Sequence, residues 1–379
     1  MPPSTRFHRL GLETFQGDFT YWTSNLTRAE VIQRLGVIKA PYSFRTRWGY
    51  TNAAFLAAGE IIPKVTGRPW EEFVKESLFV PLKMARSLAL ASQIASAPNA
   101  ARAHTTVNGA TAMIPYCAID NLAPAGSISS SISDMSHWVM AQLDSGKFDG
   151  KRVIPWPVIQ TTRVPHSILG SRAGTRFTNG HFSLYGLGWD VSEYGGKLLV
   201  GHTGGVNGFV TSVTLMPEEK LGIIVFTNTD QNSFYQAVKF ELLDAYLNLP
   251  YRNYDSLFYD SYRTGREERN AWLKAKRDSI ALHLPQSLPL QGFSGSYHND
   301  VYGDMTVSLD RDSLKMHFSH HTMTGHLEGL GGSRFLCTYS DPIMGIKEIP
   351  FTIEGGKVRS VTVTVDDFVE FTPYEFVKK

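Results

Sequence analysis

The period of the hydrophobic pattern changes along this chain near residue 180. Before that point, apolar residues recur at helical spacing, as in residues 52–65. Beyond it, apolar and polar residues alternate, which is typical of strands with one buried face. The alternating runs cover residues 184–191, 197–202, 209–216 and 221–227. The pattern predicts an α+β fold, in which helices flank an antiparallel sheet.

Several helix boundaries can be predicted from local signals. Thr27 and Glu30 have the spacing of a capping box. Pro63 lies inside the alanine-rich segment that starts at residue 52, so we expect that helix to be kinked or split. Ser133 is predicted to cap a helix that ends near Gly146. A further helix is expected after the last strand, from Ser233 to Leu247.

The last third of the chain has a different character. Residues 263–277 are densely charged and predict a solvated helical connector, and the proline-flanked residues 285–289 mark a boundary. Beyond it the runs are short and alternating, such as 305–309, 314–318 and 358–365, which predicts a small β-barrel or sandwich. The predicted domains are residues 1–250, 251–285 and 286–379.

Composition excludes several classes of function. The chain has 37 basic and 35 acidic residues, so its charge gives no reason to expect nucleic acid or an anionic membrane as a partner. No apolar run approaches the roughly 18 residues of a membrane span. The distant Cys117 and Cys337 are interpreted as free buried thiols rather than a disulfide.

Two short motifs contain residues suited to acyl transfer, Tyr50-Thr51-Asn52 and His202-Thr203-Gly204-Gly205. Acyl transfer to a serine needs a base beside the hydroxyl and donors directed at the developing oxyanion. A tyrosine can be that base if nearby cations lower its pKa from about 10. Histidine is only partly charged near neutrality, so it is a weaker cation than lysine at that pH.

These motifs and their flanks resemble the penicillin-recognising serine hydrolases. That group includes class C β-lactamases, D,D-peptidases, D-aminopeptidases and related esterases, and it is similar to peptidase family S12. The further matching segments are Pro81-Leu82-Lys83-Met84, residues 123–130 and Trp189. The match covers roughly residues 8–250 and implies a β-lactamase/transpeptidase-like sheet flanked by helices. Residues 290–379, from Gly295-Ser296-Tyr297 onward, resemble the lipocalin-like barrel that follows some members.

The resemblance implies roles for individual residues. Tyr50 is the expected general base, and His202 is expected to support Tyr50 and the substrate. Gly205 would donate a backbone N–H to the oxyanion hole. The substrate-binding residues that the resemblance implies are Asn52, Thr203, Gly204 and Gly205.

The family's nucleophile motif, Ser-x-x-Lys, occurs nowhere in the 379 residues. Leu10-Gly11-Leu12 resembles the segment just after the helix that carries this motif, so we expect the domain to be incomplete at its N-terminus. The chain alone is then expected to be inactive, and either poorly folded or completed by another segment. Two hypotheses remain: a serine hydrolase acting on a peptide, ester or β-lactam, and a non-catalytic relative that binds peptide or cell-wall fragments.

Other features give weaker indications. Four histidines fall within one barrel segment, but no carboxylate has ligand spacing, so exposed strand histidines are expected there and no metal. They are His317, His320, His321 and His326.

No phosphate loop or dinucleotide motif is present, so no cofactor is expected. The first residues lack the apolar core of a signal peptide, which taken alone predicts a cytoplasmic protein. If a signal peptide lies upstream, the resemblance implies a periplasmic or secreted protein. The oligomeric state stays open.

Overall fold

The computed structural model describes residues 8–107, 109–171 and 180–379. The first seven residues, on which the prediction about a signal peptide depends, lie outside this range. The chain forms two compact units. The first consists of Met1–Gly11, Ser43–Trp48 and Ala54–Arg263, and the second of Leu12–Tyr42, Gly49–Ala53 and Thr264–Lys379.

Within the described residues, the α-helices are α1 (Arg28–Leu35), α2 (Asn52–Gly59), α3 (Ile61–Thr66), α4 (Trp70–Val74), α5 (Ala123–Gly126), α6 (Ile132–Leu143), α7 (Trp156–Arg163), α8 (Phe234–Tyr246), α9 (Tyr254–Ala281) and α10 (Leu290–Phe293). A π-helical turn follows α4 at Lys75–Phe79. Short 3₁₀ helices lie at Asp18–Thr20, Ala91–Ser96, Asp120–Leu122, Pro217–Glu219 and Pro342–Met344.

The strands are β1 (Ala103–Val107), β2 (Ala110–Ile114), β3 (Lys147–Phe148), β4 (Lys151–Arg152), β5 (Ser167–Ser171), β6 (Phe182–Tyr185), β7 (Asp190–Tyr194), β8 (Lys197–Val206), β9 (Phe209–Met216), β10 (Leu221–Thr227), β11 (Gly295–Asn299), β12 (Gly303–Asp310), β13 (Ser313–Phe318), β14 (Thr324–Gly329), β15 (Arg334–Tyr339), β16 (Ile346–Glu354), β17 (Lys357–Val363) and β18 (Tyr374–Lys378).

The first unit is built around an antiparallel sheet with the strand order β10-β9-β8-β7-β6-β5. Alternation along β8 places the neighbours Leu199 and Val200 on opposite faces. Leu199 packs in a core cluster with Phe240 and Leu243 of α8, whereas Val200 packs in a cluster with Val139 of α6. Helices therefore cover both faces of the sheet, and the predicted α+β fold is confirmed.

Two local predictions in this unit are wrong. Residues 184–191 form parts of two strands, β6 and β7, because the chain turns at Gly188, whose φ is +76°. The N-cap of α6 is Ser131 and not Ser133. Ser131 has extended backbone angles and its side chain accepts a hydrogen bond from the N–H of Asp134 at 3.2 Å, whereas Ser133 already lies inside the helix.

The helix that was expected to be kinked or split at Pro63 is divided into α2 and α3. The break lies at Glu60, before the proline, and Pro63 is the third residue of α3. The N–H groups of a first helical turn have no intrahelical partner, so proline costs little there. The predicted capping box of α1 is confirmed, since the side chain of Thr27 accepts from the N–H of Glu30 and the Glu30 carboxylate accepts from the N–H of Thr27.

Strands β11 to β18 of the second unit close into an antiparallel barrel. Each strand pairs with its neighbour in sequence, and β18 pairs back to β11. Along β13 the buried residues Leu314, Met316 and Phe318 alternate with the exposed Lys315 and His317. The predicted C-terminal barrel is confirmed, and its interior is filled by apolar side chains.

The predicted charged connector is part of α9, which spans 28 residues. No helix within the described ranges is both long and apolar enough to cross a membrane. Cys117 and Cys337 are buried thiols, as predicted.

The prediction of exposed strand histidines is correct for His317 and His326 but wrong for His320 and His321. His320 lies in the turn after β13 and is partly buried. His321 lies in the turn after β13, is 5% exposed, and stacks on the ring of Phe19 with centroids 4.2 Å apart. Its Nε2 lies 2.9 Å from the carbonyl oxygen of Phe19 and donates to it. In the part of the chain that the structure describes, no three His, Cys, Asp or Glu side chains are grouped to hold a metal ion.

The burial of His321 predicts that the second unit loses stability in acid. Burial lowers the pKa of His321 from 6.5 to about 4. Between these values the unfolded chain binds a proton that the folded unit does not, so stability falls as the pH drops through this window. Since one pKa unit corresponds to about 1.4 kcal/mol, the full effect is about 3 kcal/mol.

The measurement compares the native chain with His321→Gln by urea unfolding at pH 7 and at about pH 4.5. We expect the native chain to lose more stability than the variant. Burial raises the pKa values of Asp18 and Glu370, whose carboxyls act in the opposite sense, and the comparison cancels their contribution. The exposed His317 provides a control substitution in the same barrel. Equal losses for the native chain and His321→Gln would contradict the prediction.

Candidate functional site

The Tyr50-Thr51-Asn52 motif lies in the second unit, where the chain enters α2. The N–H of Phe15 donates to the carbonyl of Tyr50 at 2.8 Å, and the N–H of Tyr50 donates to Oγ1 of Thr14 at 3.2 Å. The rings of Phe15 and Tyr50 meet edge-on, with centroids 5.5 Å apart. A Cβ at Gly49 would lie 2.0 Å from the carbonyl oxygen of Leu12. The backbone before Tyr50 is therefore packed so closely that only glycine fits.

Asn52 is the first residue of α2, and its amide is held by two buried side chains. Its Nδ2 donates to Oδ2 of Asp18 at 2.8 Å and to the hydroxyl of Tyr21 at 3.1 Å. Asp18 and Tyr21 are almost completely buried, and burial raises the pKa of the Asp18 carboxyl. These contacts fix the orientation of the Asn52 amide from within the second unit.

The second motif, His202-Thr203-Gly204-Gly205, lies on β8 in the first unit. Strand β8 pairs with β7 only as far as Gly201, whereas its pairing with β9 continues to Val206. Thr203, Gly204 and Gly205 are exposed. Among the described strands, the part of β8 that holds these three residues thus extends beyond the end of β7. Such a strand edge can donate backbone N–H groups to a ligand.

Both ring nitrogens of His202 lie close to oxygen atoms. Nδ1 is 2.6 Å from the carbonyl oxygen of Thr203, and Nε2 is 3.0 Å from the hydroxyl of Tyr185. A carbonyl oxygen only accepts, which assigns a hydrogen to Nδ1. The same Tyr185 hydroxyl lies 3.2 Å from Nε2 of the buried His8. Tyr185 can therefore accept from His202 while donating to His8.

The structure divides the predicted residues between its two units. Tyr50 and Asn52 belong to the second unit and His202 to the first. Sequence reasoning missed the buried partners of these residues: Asp18 and Tyr21 in the second unit, and His8 and Tyr185 in the first. None of these four residues belongs to a motif that the sequence offers.

Known sequences resemble both parts of the chain. Residues 7–247 match the family model described as Beta-lactamase, and residues 281–378 match a domain of unknown function, DUF3471. Over 321 residues the chain is 25% identical to unguisins hydrolase from Aspergillus campestris, covering 80% of this chain and 58% of that protein. Over 207 residues it is 26% identical to D-aminopeptidase from Brucella ovis, covering 54% of this chain and 36% of that protein. The chain thus spans little more than half the length of the first relative and about a third of the second.

Solved structures share the fold. A penicillin-binding protein homologue from Pyrococcus abyssi, described as octameric, has a TM-score of 0.57 and 19% identity, covering 99% of this chain and 77% of that one. A penicillin-binding protein from Bacillus halodurans has a TM-score of 0.51 and 16% identity, covering 63% of this chain and 71% of that one. At such identities the likeness establishes the fold alone. Because the family model matches well over half of the chain, this protein belongs to the β-lactamase family.

Proposed function

We propose that the protein is a serine acyl hydrolase that acts on a peptide-like amide or an ester. Tyr50 is the general base, Asn52 orients the substrate, and His202 supports Tyr50 electrostatically. The nucleophile is the serine of a Ser-x-x-Lys segment, which these 379 residues do not contain. The observation that carries the proposal is the presence of both motifs, at the start of α2 and along β8, in a chain of the β-lactamase family.

The surroundings of His202 support its proposed role. A protonated imidazole needs an acceptor at each nitrogen, and the Thr203 carbonyl and Tyr185 hydroxyl supply them. A positive charge at His202 is the proposed electrostatic support for the phenolate form of Tyr50. The backbone N–H of Gly205, on the exposed end of β8, is the proposed protein donor to the oxyanion. Thr203 and Gly204 would line an extended substrate along the same strand.

The name of the D-aminopeptidase relative favours a peptide bond over a β-lactam ring as the bond that is hydrolysed. One relative is a D-aminopeptidase and another is a hydrolase of unguisins. A small molecule or short peptide is therefore the proposed substrate class. A second candidate function, binding of peptide or cell-wall fragments without turnover, is favoured by one observation, which is that no Ser-x-x-Lys occurs in the 379 residues.

The test supplies the missing motif. An N-terminal segment bearing Ser-x-x-Lys, taken from a β-lactamase-family member, is fused ahead of this chain. The fusion is assayed against a D-alanyl p-nitroanilide, p-nitrophenyl acetate and a chromogenic cephalosporin. We expect turnover of the anilide or the ester, no turnover by the chain alone, and loss of turnover when the supplied serine is changed to alanine.

The alternatives give different results. A folded fusion without turnover, together with saturable binding of a D-alanyl peptide by the chain alone, would favour the binding function. Turnover by the chain alone, at a rate unaffected by the added segment, would contradict the proposed source of the nucleophile.

A further inference from the structure

The loop between β17 and β18 holds the backbone of a 3₁₀ turn near the start of the second unit. The carboxylate of Glu370 on this loop accepts from the N–H of Gly17 at 2.8 Å and from the N–H of Phe19 at 3.0 Å. The hydroxyl of Tyr302 donates to the same carboxylate at 2.9 Å. Glu370 is 1% exposed. Because a buried carboxyl needs such donors, the turn and the barrel loop are fixed to each other.

Asp18 lies between the two backbone groups that Glu370 holds. Its own carboxyl accepts the bond from Asn52 Nδ2 at 2.8 Å. The turn is closed locally, since the hydroxyl of Thr20 donates to the carbonyl of Gly17 at 2.6 Å. One short turn therefore links a barrel carboxylate to the amide of Asn52.

A parallel contact reaches Tyr50. The ring of Phe371, next to Glu370, packs on Phe15 with centroids 5.1 Å apart. Phe15 packs in turn on the Tyr50 ring and donates its N–H to the Tyr50 carbonyl. Both ends of the Tyr50-Thr51-Asn52 motif are thus connected to the same barrel loop within the second unit.

We propose that the barrel is a positioning element for this motif, and that Glu370 and Asp18 are its positioning residues. The inference rests on the proposed function, because it assigns these residues to the support of the proposed base and substrate-orienting amide. Glu370 fixes the turn, the turn fixes Asp18, and Asp18 fixes the Asn52 amide. The C-terminal barrel is then part of the support of the acyl-transfer site.

The first test measures the Asn52 side-chain amide directly in the intact chain. Its ¹⁵N–¹H signals are assigned by their loss in Asn52→Ala. Glu370→Gln keeps the size of the side chain but places an NH₂ group against a backbone N–H, and Asp18→Asn alters the acceptor itself. In both variants we expect the Asn52 amide protons to exchange with water about tenfold faster, the factor that corresponds to one lost hydrogen bond of typical strength.

Glu375→Gln is the matched control, because Glu375 lies on β18 of the same barrel and is exposed, with its carboxylate bound to Ser360. This substitution removes the same charge and should leave the Asn52 signals unchanged. Unchanged Asn52 exchange in a folded Glu370→Gln chain would overturn the role of the barrel. If Glu370→Gln does not fold, Asp18→Asn decides, because it leaves the bonds of Glu370 to the backbone in place. Unchanged exchange in Asp18→Asn would also overturn the proposal.

A second readout separates this inference from the proposed function. In the fusion that carries Ser-x-x-Lys, Glu370→Gln and Asp18→Asn should lower kcat/KM by about tenfold while Glu375→Gln does not. A fusion without turnover, combined with the expected change in Asn52 exchange, would contradict the proposed function and leave the positioning intact. Full turnover by both variants would overturn the positioning and leave the function intact.

Discussion

Phenylalanine in place of Tyr50 is expected to reduce kcat of the fusion enzyme by about 100- to 10,000-fold, the range typical of general acid–base catalysis. The substitution removes the hydroxyl and keeps the ring. The edge-on contact with Phe15 and the backbone bonds of residue 50 should therefore survive. The predicted loss is one of proton transfer and not of folding.

The measurement is steady-state hydrolysis of the best substrate, with circular dichroism to show that the variant is folded. Tyr42→Phe is the matched control, because it removes a phenol hydroxyl from the same unit, one that donates to Glu13 at 2.6 Å. The control should keep kcat. A Tyr50→Phe enzyme that turns over as fast as the native fusion would show that another group is the base.

The largest expected effect on stability comes from Phe335→Ala, which should reduce the free energy of unfolding of the second unit by about 3–5 kcal/mol. Phe335 is completely buried in the barrel. Its ring meets Phe293 and Phe351 edge-on, with centroids 5.0 and 5.3 Å away. Alanine removes the apolar area that the ring buries and leaves a cavity that the closed barrel can fill only in part.

Urea denaturation of the whole chain, followed by circular dichroism, measures this loss. Leu309→Ala on β12 is the control, because Leu309 belongs to the same barrel but is 47% exposed, and its replacement should cost less than about 1 kcal/mol. Equal losses for the two variants would mean that the interior around Phe335 is not packed as described.

Much of the architecture could be predicted from the sequence, because most of its elements depend on a pattern local to their own segment. Alternation predicted β8, β9 and β10 of the sheet and several strands of the barrel, and the capping residues predicted the start of α1. Two of the errors are also local. The turn at Gly188 lies within an alternating run, and the choice between Ser131 and Ser133 depends on backbone angles that residue types alone do not determine.

In the candidate site, too, some residues could be predicted from the sequence and others could not. Tyr50, Asn52 and His202 could be identified from the sequence because they occur in short motifs with a chemical meaning. Their partners could not, since Asp18 is 34 residues from Asn52, and His8 is 177 residues from Tyr185. A pattern of neighbouring residues cannot indicate a contact between residues that are so far apart in the sequence.

The sequence by itself therefore determined the fold class, the family motifs and the residues that could carry acyl transfer. Only the tertiary structure decided which buried groups hold those residues, and that a carboxylate of the barrel, Glu370, belongs to this support through the turn at Gly17 and Phe19. The physical reason is that secondary structure follows from the periodicity of neighbouring residues, whereas a buried carboxyl takes its hydrogen-bond donors from wherever the folded chain brings them.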